Sequence, residues 1–404
     1  MAEGFRPAWA EVDVGAARRN AALLAALVAP AQLCAVVKAD GYGHGALPLA
    51  RAALAGGASW LAVALVEEGV ALRDAGIEAP VLLLSEPPTG AMAEAVAHGL
   101  VPTVYTPEGV RALGEVADRS GAAVGVHLKV DTGMHRVGAD PDDVVALAAA
   151  VADRPGLRLD ALWTHLAVAD GGGEEDRQFT ATQLHRFDVV LEALGTAGHR
   201  PALAHVANSA AAIAVPESRR DLVRCGIALY GYCPTPAVAA ALAATGEGAR
   251  LEPVLTLRAE VSFTRYLAAG ERPSYGRRRP LPEGSTVATV PIGYADGVPR
   301  RLFDVGGEVL IGGRRRPLAG VVTMDQIVVD CGPVDAAGGD RPPEGPPVVA
   351  GDEVVLLGRQ GDQEITATEW ADLLGTINYE VLCDIGPRVP RRVVGEGPGP
   401  DTGG

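Results

Sequence analysis

Between residues 32 and 231 the chain repeats one unit: a short apolar β-rich run, a polar turn, then an Ala/Leu-rich amphipathic stretch. The apolar runs are LCAVV (33–37), WLAVAL (60–65), VLLL (81–84), VPTVY (101–105), VGVHLKV (124–130), LDALWTH (159–165), ALAHVA (202–207) and LVRCGIALY (222–230). Helical patterns intervene at 46–54, 67–75, 107–119, 141–152, 177–194 and 209–214. Eight strands, nearly all followed by a helix, predict an α/β fold, a (β/α)8 barrel of the TIM type. A doubly wound open sheet is the alternative, but no G-x-G-x-x-G follows the first run.

After Tyr232 the pattern changes. Pro234 and Pro236 break the alternation, and 237–244 has room for one more helix. From Leu251 the runs are short, alternating and divided by Gly and Pro, which predicts a mainly antiparallel β domain with at most one helix, near 368–374. The expected organisation is a barrel over 1–245, a β domain over 246–394 and a disordered tail over 395–404. A Gly/Pro-rich loop is expected at 332–350. Hydrophobic residues make up 48% of the 404, enough for a sizeable core, but aromatics only 4%, so Ala, Val and Leu must build it.

With 35 basic and 50 acidic residues the net charge is -15, which argues against nucleic-acid binding. The Arg runs at 277–279 and 314–316 are too short to change that. The longest apolar stretch, 21–37, is interrupted by Pro30 and Gln32, so no membrane span is expected. No secretion signal is apparent at the N-terminus, and the five scattered cysteines form no C-x-x-C pair. A cytoplasmic location is the expectation.

Of the 35 basic residues, 33 are arginine and two are lysine, Lys38 and Lys129. A composition that substitutes Arg wherever charge suffices leaves lysine where chemistry needs an amine. Only the amine can become neutral and nucleophilic, or be carbamylated.

In a (β/α)8 barrel the active site forms at the C-terminal ends of the strands. Those ends carry Lys38 after the first run, Lys129 and Arg136 after the fifth, His165 after the sixth, Asn208 and Ser209 after the seventh, and Arg224, Gly226 and Ile227 in the eighth. Lys38 behind an apolar strand suits attack on a carbonyl, and a Schiff base with pyridoxal phosphate is the common use of such a lysine; a rim lysine is the plain alternative. Tyr42, in a Gly-rich loop, and Ser209 and Gly226 suit a phosphate, although Ser209 also suits a helix N-cap. Arg224 inside an apolar strand needs a partner, either a cofactor ring nitrogen or a structural carboxylate. His165 suits stacking on a flat ring or a place in the core. The histidines show no metal-ligand spacing, so no metal is expected.

The segment AVVKADGYGHG (35–45) resembles the lysine signature of alanine racemases, pyridoxal-phosphate enzymes built as a barrel plus a β domain. The resemblance continues through HLKVDTGMHRVG (127–138), THLAVAD (164–170), HVANSAA (205–211), VRCGIALYG (223–231), PSYG (273–276), PIGYADG (291–297), AGVVTMDQ (319–326) and INYEVLCDIGPRVPR (377–391). It implies racemisation of alanine by two bases, supplying D-alanine for the cell wall. Lys38 is then the cofactor-bearing lysine and one base, and Tyr275, donated by the partner in a homodimer, the other. Arg224 faces the pyridine nitrogen, His165 stacks on the ring, and Tyr42, Asn208, Ser209, Gly226, Ile227 and Tyr379 bind the cofactor. Arg136 and Met324 meet the substrate carboxylate, with Tyr294 and Asp325 beside Met324. Lys129 matches a lysine that is carbamylated in many members and then orients the arginine.

Pro273, Asp384 and Gly386 depart from the family's usual residues. A racemase of another small amino acid, such as serine, is the alternative function. A basic-amino-acid decarboxylase predicts an acidic residue in place of Arg224. A lone-barrel cofactor carrier predicts no β domain. A carbamyl-lysine metal hydrolase predicts a histidine pair that the sequence lacks.

Overall fold

The computed structural model describes residues 5–121, 123–333 and 347–395. Two compact units make up the chain: Gly15–Glu252, and Met1–Val14 together with Pro253–Gly404. The N-terminal strand β1 (Ala8–Asp13) thus belongs to the β unit, where the sequence reading had assigned it to the barrel. Except for Gly395, the tail expected at 395–404 lies outside the described residues, as does most of the loop expected at 332–350.

In the first unit every expected strand is present: β2 (Gln32–Val36), β3 (Trp60–Val63), β4 (Val81–Leu83), β5 (Thr103–Val104), β6 (Val124–Lys129), β7 (Leu157–Trp163), β8 (Leu203–His205) and β9 (Leu222–Cys225). They pair in parallel in two runs, β9-β2-β3-β4 and β5-β6-β7-β8. A parallel bridge from Leu82 to Val101 links β4 to the start of β5, and the amides of Asp221 and Arg224 donate to the carbonyls of Ala204 and Ala207, closing β8 against β9. Both joins turn the two runs into a closed eight-stranded barrel. Parallel strands put every C-terminal end on one rim, and that is where the chemistry-bearing residues gather.

Helices pack outside. Pro107–Ser120 shows why they form: Thr106 accepts from the Gly109 amide as N-cap, Pro107 opens the first turn, and Gly121 at φ 66° ends it. Its face Val110, Leu113 and Ala117 is buried, each large apolar side chain contributing roughly 1.5–3 kcal/mol. The apolar stretch 21–37 is not one element; the helix Val14–Val28 ends before Pro30 and β2 begins at Gln32. No described helix is long and apolar enough to cross a membrane.

The second unit carries the strands β10 (Leu255–Glu260), β11 (Phe263–Leu267), β12 (Ser285–Val290), β13 (Glu308–Ile311), β14 (Arg314–Pro317), β15 (Ile327–Asp330), β16 (Glu353–Gln360), β17 (Gln363–Ile365) and β18 (Arg391–Val394). One sheet runs β14-β13-β16-β10-β1-β18 and another β11-β12-β15; β1 and β18 pair in parallel, the rest antiparallel. The expectation of at most one helix here is overturned. Besides Ala367–Leu374 there is Asn378–Cys383, where Tyr379 and Val381, with Ile377 just before the helix, alternate like a strand in the sequence alone.

Candidate active site

Lys38 stands two residues beyond β2, where the chain enters an unusual turn. Ala39, Asp40, Gly41 and Tyr42 all have positive φ, between 49° and 61°. Each non-glycine residue in this left-handed conformation costs about 1–2 kcal/mol, and such strain persists only where the surroundings enforce it. Inside the turn the amides of Gly41, Gly43 and Gly45 donate to the carbonyls of Val37, Ala39 and Asp40. The turn brings the Tyr42 ring inward to lie 4.6 Å from Tyr230, whose hydroxyl donates to the Val36 carbonyl at 2.9 Å.

Tyr42 then meets the end of β9. A Cβ added to Gly226 would sit 2.3 Å from the Tyr42 hydroxyl, so only glycine allows this approach. Ser209 Oγ accepts from the amides of Gly226 at 2.8 Å and Ala228 at 3.4 Å, which leaves its own hydrogen to donate elsewhere. The N-cap of the helix Ser209–Ala214 is Asn208, accepting from the Ala211 amide at 3.0 Å, and not Ser209 as the sequence suggested. That leaves the Ser209 hydroxyl available for a ligand. Ile227 is fully buried at the start of a 3-10 turn that replaces the second half of the long run read at 222–230.

Arg224 lies in β9 and is buried. Its Nη1 donates to His205 Nδ1 at 2.8 Å; Nη2 donates to the carbonyls of Thr164 at 2.8 Å and Val206 at 3.0 Å and lies 3.4 Å from His165 Nδ1. Among the described residues no carboxylate pairs with it. Burial lowers its pKa to about 10, still high enough to keep it charged near neutrality. A guanidinium can only donate, so His205 Nδ1 is an acceptor and its Nε2 carries the hydrogen, which reaches His127 Nδ1 at 3.0 Å. Both imidazoles are held neutral: burial drives the pKa of His205 well down and that of His127 to about 4. His127 and His205 were not singled out in the sequence, because a histidine inside an apolar strand gives no sign of its partner until the strand register is known.

Lys129 ends β6 and is buried, its Nζ 4.2 Å from the centroid of the Trp163 ring, which Arg224 also covers at 4.5 Å. Burial, then the charges of Arg224 and Arg136, lowers its pKa to about 7; Asp131 opposes the shift and Lys38 adds to it. His165, two residues past β7, is pushed far below its ordinary value by burial and then by Arg224, Arg136, Lys129 and Lys38. The charges of Arg224, Arg136, Lys129 and Lys38 thus all act on His165. Arg136 itself is exposed, on a loop where Asp131 accepts from the amides of Gly133 and His135.

The β unit gathers a second set. Ser274 has φ 66° and donates through Oγ to the Val321 carbonyl at 2.6 Å. The amides of Tyr294 and Ala295 donate to the carbonyls of Thr323 and Met324. Segments 273–275, 293–295 and 320–325 therefore sit together, presenting Tyr275, Met324 and Tyr294 at 73%, 52% and 42% exposure. Asp325 accepts from Arg388 Nη2 at 2.7 Å. Beneath them the fully buried Asp296 accepts two hydrogen bonds from Arg6 and one from the Gly293 amide. Tyr379 is half-buried on Asn378–Cys383.

A family model described as the alanine racemase N-terminal domain matches residues 12–234, and the one for the C-terminal domain matches 254–393. An alanine racemase of Symbiobacterium thermophilum is 45% identical over 394 residues, covering 98% of this chain and 99% of that protein. The solved alanine racemase of Bacillus anthracis with bound L-Ala-P superposes with a TM-score of 0.87 at 34% identity, over 98% of this chain and 97% of that one. That of Streptomyces coelicolor A3(2) gives 0.86 at 39% identity, over 96% and 98%. Such relatives favour alanine over serine or another small amino acid as the substrate. With both of its units matched, the chain belongs to the alanine racemase family of isomerases.

Proposed function

We propose that this chain interconverts L- and D-alanine with pyridoxal 5′-phosphate held at the rim of the barrel, in a homodimer whose sites are shared between subunits. Enzymes of this family use that cofactor, and the residues present fit it. The Tyr42 hydroxyl, the free hydrogen of Ser209 and the close backbone at Gly226 form a small cradle suited to a phosphate, with Asn208 fixing the helix that carries Ser209. Ile227 completes that end in this reading, and Tyr379 is proposed for the cofactor on the family resemblance alone.

Arg224 carries the proposal: a buried cation whose partners among the described residues are all uncharged, beside His165 at the rim. A donor that stays charged near neutrality suits an unprotonated ring nitrogen, because it gives a hydrogen bond there while keeping its proton. The two histidines behind it, fixed as neutral, cannot protonate it either. Neutral His165 is suited to lie against the flat ring.

When bound, pyridoxal phosphate withdraws electrons from an attached amino acid and so acidifies its α-hydrogen. Inversion at that carbon requires a base on each face. Lys38 Nζ takes or returns the proton on one face. On the other, the phenolic oxygen of the partner subunit's Tyr275 does the same; its exposure on the unit that bears it suits a group donated to a neighbour. Arg136 binds the substrate carboxylate, and the backbone at the partner subunit's Met324 meets it from across the interface, supported by Tyr294 and Asp325. Lys129, about half neutral at pH 7, can add carbon dioxide through its neutral amine and release one N–H proton to solvent, and the carbamate so made orients Arg136. The expected location is the cytoplasm and the expected use of D-alanine is in peptidoglycan.

The test is a racemisation assay on L-alanine with cofactor-loaded protein. Lys38→Ala and Tyr275→Phe should each lower kcat at least about a thousandfold. Mixing the two inactive variants should restore up to about a quarter of wild-type activity, since one site of each mixed dimer is intact. Heterodimers that form but stay inactive would overturn the shared site.

A further inference from the structure

We infer that Glu68 is a positioning residue for Lys38, holding the left-handed turn that follows it through the amide of Ala39. The inference rests on the reading of Lys38 above, but its first measurement does not depend on it.

Ala39 and Asp40 are exposed, so their own side chains do not pack to enforce their positive φ, and hydrogen bonds from their backbone carry that load. The backbone bonds within the turn link its own residues. Two carboxylates supply anchors. Asp40 Oδ1 accepts from the Ala46 amide at 2.8 Å, tying the far end of the turn to the next helix. Glu68 Oε1 accepts from the Ala39 amide at 2.6 Å, one residue from Lys38. The other oxygen of Glu68 accepts from the amides of Ala64 at 2.8 Å and Leu65 at 3.0 Å. One carboxylate thus staples the loop after β2 to the loop after β3.

The third position of the helix Val66–Asp74 is a natural place for Glu, where its side chain accepts from the N-cap amide. That role accounts for the bond to Leu65 and, beside it, Ala64. It does not account for the bond to Ala39, which belongs to another strand-loop unit altogether. The charge also matters: a carboxylate can accept at both oxygens, whereas glutamine, equally able to cap, has an N–H2 that cannot accept from Ala39. Glu68→Gln therefore separates the two roles.

The experiment uses the full-length, cofactor-loaded enzyme and hydrogen-exchange mass spectrometry of peptides spanning 37–46 and 66–74. In Glu68→Gln, exchange at 39–45 should rise at least tenfold while 66–74 stays within threefold of wild type. In the same variant kcat should fall five- to fiftyfold, with KM for alanine within threefold. Ala39→Gly, which removes the conformational penalty at that residue, should recover part of the protection when added to Glu68→Gln. Unchanged exchange at 39–45, or a rise confined to 66–74, would overturn the inference. Should Lys38→Ala remain active, the role of Lys38 fails; the exchange result would still decide whether Glu68 clamps the turn.

Discussion

At the scale of single residues the decisive effect is the cost of burying charge. Lys129 would titrate near 10.5 in the unfolded chain and does so at about 7 in the fold. Between those values the unfolded chain holds a proton that the folded protein lacks, so folding stability rises as pH is raised from about 7 towards 10 and is lowest below 7. The same shift makes the amine reactive: it is half neutral at pH 7, where an ordinary lysine is almost fully charged. Labelling with 13C-bicarbonate should give a carbamate signal in 13C NMR that grows through pH 6–8 and vanishes in Lys129→Arg. A signal that grows only above pH 9 would show that the amine is not desolvated. Lys38 and Lys129 were legible because a chain with 33 arginines keeps only these two lysines. Glu68, His127 and His205 were not, because an acceptor or an imidazole becomes meaningful only once its partner from a distant segment is known.

At the scale of elements, strand ends decide where function sits. Each barrel strand was readable as an apolar run, and its parallel pairing carried Lys129, His165, Asn208 and Gly226 to the same rim. Cap chemistry was less readable. Asn208 and Ser209 are adjacent and both are good N-caps; the fold uses Asn208, which frees Ser209 to hold the β9 loop. Asn208→Ala should cost about 1 kcal/mol, lowering the melting temperature by roughly two to four degrees. It should also weaken cofactor affinity at least tenfold in a fluorescence titration. A loss of stability with unchanged affinity would separate the cap from the cradle. The run read at 222–230 ends at Gly226 because the chain must turn there against Tyr42, a contact that no local pattern encodes.

At the scale of the whole chain, the first strand shows how far sequence neighbours can part. β1 lies between β10 and β18 in the sheet of the second unit, although the barrel follows it directly. Deleting residues 1–13 would leave the edges of β10 and β18 open and remove the Arg6 partner of the buried Asp296. The truncated chain should aggregate or lose the antiparallel-sheet signal in circular dichroism; a soluble, fully active product would show that β1 is dispensable. Joining residues 5–13 by a Gly/Ser linker to 253–395 should rescue a folded β unit. The amino-acid sequence by itself determined the alternation of apolar runs and helices, the change of pattern after Tyr232, the two surviving lysines and the motifs at the strand ends, because each is local and periodic. Tertiary structure alone decided the pairing of β1, the second helix at Asn378–Cys383, the tautomers behind Arg224 and the grip of Glu68 on Ala39. Those depend on which backbone amide, carbonyl or charge lies across a gap, and burial gives such pairings their energy only after distant segments have met.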